Sequence, residues 1–181
     1  MKIILIGIQG SGKSTQGNLL REKLGFPYLS SGHIFREMAG EKTKWGRYVK
    51  ETLNAGHLIP DDKTIVIIEE YLSRPEYAKG YILDGFPRTV TQAERFQDSI
   101  DYVIYLRVSD REALKRLSLR INGEGREDDT DAAIKKRIEL FHKHTEPVLE
   151  HYRKKNVLLD VDGERSIDAI HKDIMSKIGQ K

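Results

Sequence analysis

The residues with the clearest chemical meaning form a glycine-rich segment near the start of the chain. Residues 7–15 read GIQGSGKST and match the pattern G-x-x-x-x-G-K-S, with an apolar run at 2–6 before them. Glycines let successive backbone N–H groups turn toward one anion. Lys13 adds a charge for the outer phosphates, and the Ser14 hydroxyl can bind a bridging magnesium ion. The segment therefore predicts a nucleoside triphosphate site.

A carboxylate and several arginines extend this chemistry. Asp84 ends the apolar run 81–83, and a carboxylate at the carboxyl end of a parallel strand faces the ligand crevice, where it can help to hold magnesium. Asp84 followed by Gly85 is also an ordinary turn signal. Pro87 stiffens the loop that carries Arg88. Further arginines that could neutralise a migrating phosphoryl group are Arg36, Arg116, Arg120, Arg126 and Arg137.

The elements that must position these residues alternate between strand and helix. Short runs that are apolar on both faces predict five strands, at 2–6, 27–29, 81–83, 102–106 and 157–161. Helical patterns separate them, which indicates an α/β fold with a five-stranded parallel sheet flanked by helices. Two stretches interrupt the alternation: 30–59, which has a helix stop at Gly56, and the polar stretch 121–130.

A single amphipathic helix is predicted after the second of these stretches. Its apolar stripe comprises Ile134, Ile138, Phe141, Leu149 and Tyr152. Pro147 is expected to kink it. The histidines of this helix predict no metal site, because His142 and His144 point to different sides and His151 lies two turns beyond His144.

Composition limits the classes of function. The chain has 181 residues, 38% of them hydrophobic and 33% charged, no cysteine and a net charge of +3. The lack of cysteine excludes disulfides and a thiolate zinc site. The apolar runs are too short to span a membrane, and the weak positive charge does not indicate nucleic-acid binding. A strand is expected at the N-terminus without a signal-peptide pattern, so a cytoplasmic protein is expected. A monomer is expected as well.

These motifs together resemble the adenylate kinase, or nucleoside monophosphate kinase, family. Residues 28–36, YLSSGHIFR, are similar to the family's S-T-G-D-x-x-R. Residues 84–89 read DGFPRT and are followed by Gln92, and residues 126–129 read REDD. The resemblance runs from the first predicted strand to the last helix. It implies a P-loop NTPase three-layer fold in a single kinase domain, 1–181, with a monophosphate-binding insert at 30–59 and a short lid at 121–130.

The resemblance also implies a role for each site residue. The residues implied for ATP are Gly10, Ser11, Gly12, Lys13, Ser14, Thr15, Arg116, Arg120 and Arg165. Those implied for the monophosphate are Ser31, Arg36, His57, Leu58, Ile59, Gly85, Phe86, Pro87, Arg88 and Gln92. Arg126 and Arg137 are implied to bridge both phosphate groups. The catalytic set is then Lys13, Arg88, Arg120, Arg126 and Arg137, and Ser14 and Asp84 are implied for Mg²⁺, with no zinc.

Two positions depart from the family pattern. Ser31 replaces a threonine and keeps the hydroxyl, whereas His33 replaces an aspartate that is expected close to the lysine and the metal shell. Gln92 offers a donor and an acceptor side by side, which suits the edge of adenine and favours AMP as acceptor. The expected reaction is reversible transfer from ATP to AMP giving two ADP, in adenine nucleotide homeostasis.

Other functions stay open at this point. GMP, UMP or CMP could replace AMP, and a non-catalytic nucleotide sensor would also need the glycine-rich loop. A kinase with a hydroxyl acceptor would require a general base near Arg36 that the sequence does not offer. A switch-type GTPase is disfavoured because the chain has no N-K-x-D motif. Because water competes with the acceptor, the two inserts are expected to move inward when substrates bind.

Overall fold

A computed structural model describes residues 1–121 and 128–179. Its strands are β1 (Lys2–Ile6), β2 (Tyr28–Ser30), β3 (Tyr81–Asp84), β4 (Tyr102–Arg107) and β5 (Leu158–Asp162). They form one parallel sheet in the order β2-β3-β1-β4-β5. The predicted five-stranded α/β fold is confirmed, with β1 at the centre.

Helices connect the strands. They are α1 (Lys13–Leu24), α2 (Ser31–Ala39), α3 (Lys44–Asn54), α4 (Asp61–Leu72), α5 (Val90–Arg95), α6 (Asp110–Ile121), α7 (Asp131–Leu140), α8 (Glu146–Lys154) and α9 (Ile167–Ile178). Within the described ranges, none of these helices is both long and apolar enough to cross a membrane.

The sheet is buried on both faces, as the apolar runs predict. Ile4 and Ile6 lie in one core cluster with residues of α4 and α8, and Ile3 and Leu5 lie in another with residues of α1 and α9. Successive side chains of a strand point to opposite faces, so one strand serves both clusters. The result is three layers, with helices on either side of the sheet.

The strand limits differ slightly from those predicted. β2 starts at Tyr28 rather than Pro27, because proline has no N–H for the ladder, although the Pro27 carbonyl still accepts from Ile82 N at 2.8 Å. β3 includes Asp84, which pairs in register with Leu5 and Ser30. This register holds Asp84 opposite the next-to-last residue of β1 and thus beside the glycine-rich segment.

Of the two interrupting stretches, the structure describes 30–59 in full and 121–130 only in part. The stretch 30–59 contains α2 and α3, which share a small core cluster of Phe35, Val49 and Ile59. Helix α3 ends at Asn54, and Gly56 follows with a φ of 72°, so the predicted helix stop is observed. Residues 122–127 of the other stretch lie outside the described residues. Whether either stretch acts as an insert or a lid stays a prediction.

The predicted amphipathic helix is interrupted. Its N-terminal part is α7 and its C-terminal part is α8, and a π-helical turn, Phe141–Thr145, joins them. Pro147 lies in the first turn of α8, where its missing N–H is tolerated. The chain therefore accommodates the proline by starting a new helical segment, and the irregularity lies in the residues just before Pro147.

Candidate active site

The glycine-rich segment adopts a tight turn between β1 and α1. Gly10 and Gly12 have φ values of 87° and 92°, a conformation that other residues rarely adopt. A Cβ atom at Gly7 would lie 2.5 Å from Ser11 Oγ and 2.9 Å from the Leu106 carbonyl oxygen, so glycine is required there for close packing. Gly12 is the N-cap of α1 and supplies no side-chain hydrogen bond to it. The first N–H groups of α1 can therefore bind an anion.

A cavity of about 580 Å³ opens above this turn. It has the size of a small-molecule site. The predicted site residues that line it are Gly10, Ser11, Gly12, Lys13, Ser14, Thr15, Arg36, His57, Leu58, Asp84, Gly85, Pro87, Arg88, Arg116, Arg137 and Arg165. One continuous cavity therefore joins the glycine-rich segment to residues that the sequence assigns to a second substrate.

Lys13 lies over the turn that precedes it. Its Nζ donates to the Gly7 and Ile8 carbonyl oxygens at 2.7 and 3.0 Å. These bonds hold the charged amino group beside the backbone N–H groups of the turn. The position suits a cation that neutralises the outer phosphates of a nucleotide.

Asp84 is held by a tyrosine that lies on the neighbouring strand β2. The Tyr28 hydroxyl donates to Asp84 Oδ2 at 2.7 Å, whereas Asp84 Oδ1 is buried and has no hydrogen-bond partner among the described residues. The ring of Tyr28 lies against Gly17 of α1, where a Cβ atom would come within 2.3 Å of it. The carboxylate is thus oriented by one bond and keeps one oxygen for another ligand.

The donor set fits a magnesium ion that is bound together with phosphates. Mg²⁺ usually takes one or two protein oxygens, several waters and the phosphate oxygens of a substrate. Asp84 and the exposed Ser14 line the same cavity. Among the described residues there is no group of three or more His, Cys, Asp or Glu side chains that could hold a metal ion by itself.

Three arginines concentrate positive charge on the other side of the cavity. Arg88 is partly buried, and its Nε donates to the Gly85 carbonyl oxygen at 2.7 Å. Burial lowers the pKa of the Arg88 guanidinium, and the nearby Arg137 and Arg36 lower it further, whereas Asp84 opposes the shift. These cations lie close enough to repel one another, so a bound phosphate would relieve the repulsion.

Arg137 is fixed by a network at the end of the second interrupting stretch. It contacts Asp128, donates to Asp129 Oδ1 at 3.0 Å and donates to the Leu53 carbonyl oxygen at 3.0 Å. Gln9 of the glycine-rich segment joins this network by donating to Asp129 Oδ1 at 2.9 Å. The network connects the glycine-rich segment, α3 and α7 around one guanidinium group.

Comparison with known proteins identifies the family. The adenylate kinase family model matches residues 5–157. The adenylate kinase of Mycobacterium tuberculosis is 40% identical over 187 residues, covering 99% of this chain and 100% of its own. That of Mycolicibacterium smegmatis is 38% identical over 187 residues, covering 99% and 100%. The chain belongs to the adenylate kinase family. It is accordingly a phosphotransferase.

The adenylate kinase of Thermosipho melanesiensis is 36% identical over 212 aligned residues, covering 98% of this chain and 99% of its own. This alignment is longer than the chain itself, so the relative contains residues that the chain lacks. The resemblance to the family that the sequence motifs indicate is thereby confirmed. The individual site residues stay predictions.

Two cavity residues that the resemblance implies for ATP, Arg116 and Arg165, have acidic partners. Arg116 Nε donates to Glu112 Oε1 at 2.9 Å, and Arg165 pairs with Asp173 at 2.5 Å. The buried Gln16 donates to the Ile167 carbonyl oxygen at 3.0 Å, which ties α1 to the start of α9. These contacts shape the part of the cavity that lies beside the glycine-rich segment.

Some residues to which the resemblance draws attention do not line the cavity. Ser31 and Phe86 are buried and line neither this cavity nor the smaller one described below: the Ser31 hydroxyl donates to the Gly85 carbonyl oxygen at 2.7 Å, and Phe86 packs edge-to-face on Phe96. The side chain of His33 is 68% exposed and lies 3.4 Å from Glu37. His33 therefore lies on the surface of α2 and does not line the cavity. The side chain of Arg120 and all of Arg126 lie outside the described residues.

A second, smaller cavity adjoins the first. Its volume is about 30 Å³, comparable with one water molecule, and it is lined by Phe35, Ile59, Thr64 and Gln92 together with residues of the main cavity. Gln92 is only 1% exposed, and both ends of its amide are hydrogen-bonded. A purine base is several times larger than this cavity, so the surrounding elements would have to move apart to admit one.

Sequence reasoning missed the residues that hydrogen-bond to the predicted site residues and hold them in position. Tyr28 and Asp61 carry no motif signal, because they act through side-chain hydrogen bonds to residues distant in the chain. Gln9 occupies a variable position of the glycine-rich pattern. Asp128 and Asp129 could have been found, since two adjacent carboxylates precede Arg137 by about two helical turns.

Proposed function

We propose that the protein transfers a phosphoryl group reversibly from ATP to AMP and forms two ADP, with Mg²⁺ bound to the nucleotide. The observation that carries this proposal is the continuous cavity, which runs from the glycine-rich segment to Arg36 and Arg88. A donor and an acceptor could lie in it end to end. Such an enzyme would balance the cellular adenine nucleotides.

Two sets of charges would align the reacting groups. The N–H groups of the glycine-rich segment and Lys13 bind the donor phosphates, and Arg36 and Arg88 hold the acceptor phosphate. The second phosphate pKa of a monophosphate is about 6, so the acceptor is largely a dianion at neutral pH and no general base is required. Arg137 neutralises charge on the phosphoryl group in transfer. That group competes with Asp128 and Asp129 for the Arg137 guanidinium.

Ser14 and Asp84 would hold the magnesium ion. The chemistry that such an ion would supply there is neutralisation of the negative charge of the phosphates. The support for this assignment is the position of both side chains on the cavity and the unpartnered Asp84 Oδ1 atom.

AMP is the proposed acceptor because Gln92 lies at the smaller cavity, where a base would be read. Steady-state rates with AMP, GMP, CMP and UMP test this assignment. We expect AMP to give the highest kcat/KM, and a preference for a pyrimidine monophosphate would contradict it. Mixing ADP with Mg²⁺ distinguishes an enzyme from a nucleotide sensor, because only an enzyme produces ATP and AMP.

Closure would accompany binding. The support for closure is chemical, because a site that closes over both substrates excludes the water that competes with the acceptor. Small-angle scattering should report a more compact particle with a bisubstrate inhibitor, and identical profiles would argue against closure. The cytoplasmic location, the monomeric state and the lack of nucleic-acid or membrane partners stay predictions.

A further inference from the structure

The amide of Gln92 is held from two sides. Its Oε1 accepts from the backbone N–H of Arg88 at 2.7 Å, and its Nε2 donates to Asp61 Oδ1 at 2.7 Å. Asp61 is partly buried at the first turn of α4, whereas Gln92 lies in α5. The side chain that faces the smaller cavity is therefore fixed by a residue outside that cavity's lining.

The orientation of this amide is unambiguous. A carboxylate only accepts hydrogen bonds, and a backbone N–H only donates. Turning the amide over would place its NH₂ group against the Arg88 N–H and its oxygen against Asp61, so both bonds would be lost. Asp61 and the Arg88 N–H thus select one of the two amide orientations.

Asp61 is itself held in place. Its Oδ2 accepts from the Thr89 hydroxyl at 3.0 Å, and the Thr89 oxygen accepts from Gln92 N at 3.1 Å as the N-cap of α5. Both carboxylate oxygens therefore have a partner, and the network joins the N-termini of α4 and α5. A partly buried network in which these groups are hydrogen-bonded to one another is rigid.

We propose that Asp61 is a positioning residue that sets the base specificity of the acceptor site through Gln92. The inference rests on the proposed function. A glutamine amide keeps a second N–H and a second lone pair after the two bonds to Asp61 and Arg88. With the orientation fixed, these present an acceptor and a donor in one order only.

That order distinguishes two classes of purine. Adenine offers a 6-amino donor beside a ring-nitrogen acceptor, which matches Oε1 and Nε2 of Gln92. Hypoxanthine offers a 6-oxo acceptor beside an N1–H donor, which is the reverse order and matches only an amide that has turned over. Holding Gln92 in one orientation therefore favours a 6-amino purine monophosphate over a 6-oxo one.

The test compares the substitution Asp61→Ala with Asp62→Ala. Asp62 is the next residue of the same helical turn, and its side chain is 80% exposed and pairs with Arg95. It controls for the loss of a negative charge at the N-terminus of α4. The measurement is kcat/KM for AMP and for inosine 5′-monophosphate at saturating ATP. Asp61→Ala should lower the AMP-to-inosine ratio about tenfold or more, with the KM for ATP unchanged, and Asp62→Ala should leave the ratio unchanged.

The outcomes separate this inference from the proposed function. If Asp61→Ala leaves the ratio at the wild-type value while Gln92→Leu abolishes the preference, Asp61 does not position Gln92 and the acceptor assignment stands. If Gln92→Leu also leaves the ratio unchanged, Gln92 does not read the base and the inference is overturned with it.

A measurement on the wild-type protein does not depend on folding of the variant. The Gln92 amide hydrogen that bonds Asp61 should stay protected from solvent exchange by ¹⁵N-resolved NMR, both without ligand and with AMP bound. Loss of its protection when AMP binds would show that Asp61 releases Gln92, and this would also overturn the inference.

Discussion

The two ends of the cavity are built in different ways. The end near β1 consists of consecutive residues, and the groups proposed to bind phosphate there are backbone N–H groups of a turn in which Gly10 and Gly12 have positive φ. The other end is assembled from side chains of α2, of the loop between β3 and α5, and of α7, which are far apart in the chain. A short motif specifies the first kind of site completely, whereas the second depends on how distant elements pack.

The two ends also differ in how charge is supplied. At the glycine-rich end, Lys13 and the N-terminus of α1 provide the positive potential. At the other end, Arg36, Arg88 and Arg137 provide it as full side-chain charges, and the proximity of Arg137 and Arg36 lowers the pKa of Arg88. Substitution of an arginine at the second end should therefore act through charge, whereas substitution of Gly10 or Gly12 should act through backbone conformation.

The largest effect is expected for Arg88→Ala. The substitution removes a bidentate cation from the acceptor end, so kcat should fall about 10²- to 10³-fold. Arg88→Lys keeps the charge without the planar fork and should be intermediate. Arg95→Ala, which removes an exposed arginine of α5, is the control for a coupled ADP-formation assay. A rate for Arg88→Ala within about twofold of wild type would contradict the assigned role.

A smaller effect is expected for Gly12→Ala at the opposite end. Gly12 and Gly25 flank α1, both have positive φ, and a Cβ atom at either would meet nothing within 4 Å. Both alanine variants should lose about 1 kcal/mol of stability from backbone strain. Only Gly12→Ala should also weaken the binding of a non-hydrolysable ATP analogue, by about tenfold in calorimetry, because bound phosphates would approach its Cβ. Equal weakening by Gly25→Ala would refute a backbone site at Gly12.

Tyr28→Phe should have a lesser effect still. It removes the hydroxyl that orients Asp84, and Mn²⁺ should bind the protein–nucleotide complex up to about tenfold more weakly in an electron paramagnetic resonance titration. Tyr102→Phe is a matched control, because it also deletes a buried tyrosine hydroxyl, which donates to the Ile178 carbonyl oxygen at 3.0 Å. Unchanged Mn²⁺ affinity in Tyr28→Phe would mean that Asp84 needs no such support.

The smallest effect concerns a histidine outside both ends. Hydrogen bonds from its ring nitrogens to Glu146 and Asp110 raise the pKa of His142. The stabilisation is fully present below the ordinary histidine pKa and is lost as pH rises through the higher folded value. Thermal unfolding should therefore show His142→Gln less stable than wild type by about 0.5 kcal/mol near pH 6 and by less near pH 8.

His151 provides a control for the direction in which stability changes with pH. Burial lowers the pKa of His151, so its contribution should change with pH in the opposite direction. Substrate affinities should be unchanged in His142→Gln and in the matching control His151→Gln. A His142→Gln variant whose stability deficit does not vary with pH would contradict the prediction.

The sequence predicted well those features that local chemistry decides. The five strands follow from runs that are apolar on both faces, and the turn at 7–15 follows from glycines whose conformations other residues avoid. The helix stop at Gly56 has the same origin. The π-helical turn before Pro147 was not predicted, because proline limits a helix without specifying how the chain adjusts around it.

Side-chain networks could not be predicted in this way. The sequence gives Gln92 as a donor and an acceptor side by side, but nothing in its spacing shows that Asp61 and the Arg88 N–H already occupy one position on each end. The surface position of His33 likewise depends on the direction in which α2 leaves β2. Such contacts arise from packing between elements that are distant in the chain.

The contact between Gly17 and Tyr28 makes the metal-side carboxylate sensitive to a position that touches no nucleotide. Any side chain at position 17 would displace the tyrosine ring, and with it the hydroxyl that holds Asp84. Substitution of Gly17 is therefore expected to weaken the proposed binding of magnesium, although Gly17 is not one of the residues proposed to bind phosphate or the ion. The substitutions that such a site tolerates therefore depend on how closely α1 packs against the tyrosine behind the carboxylate.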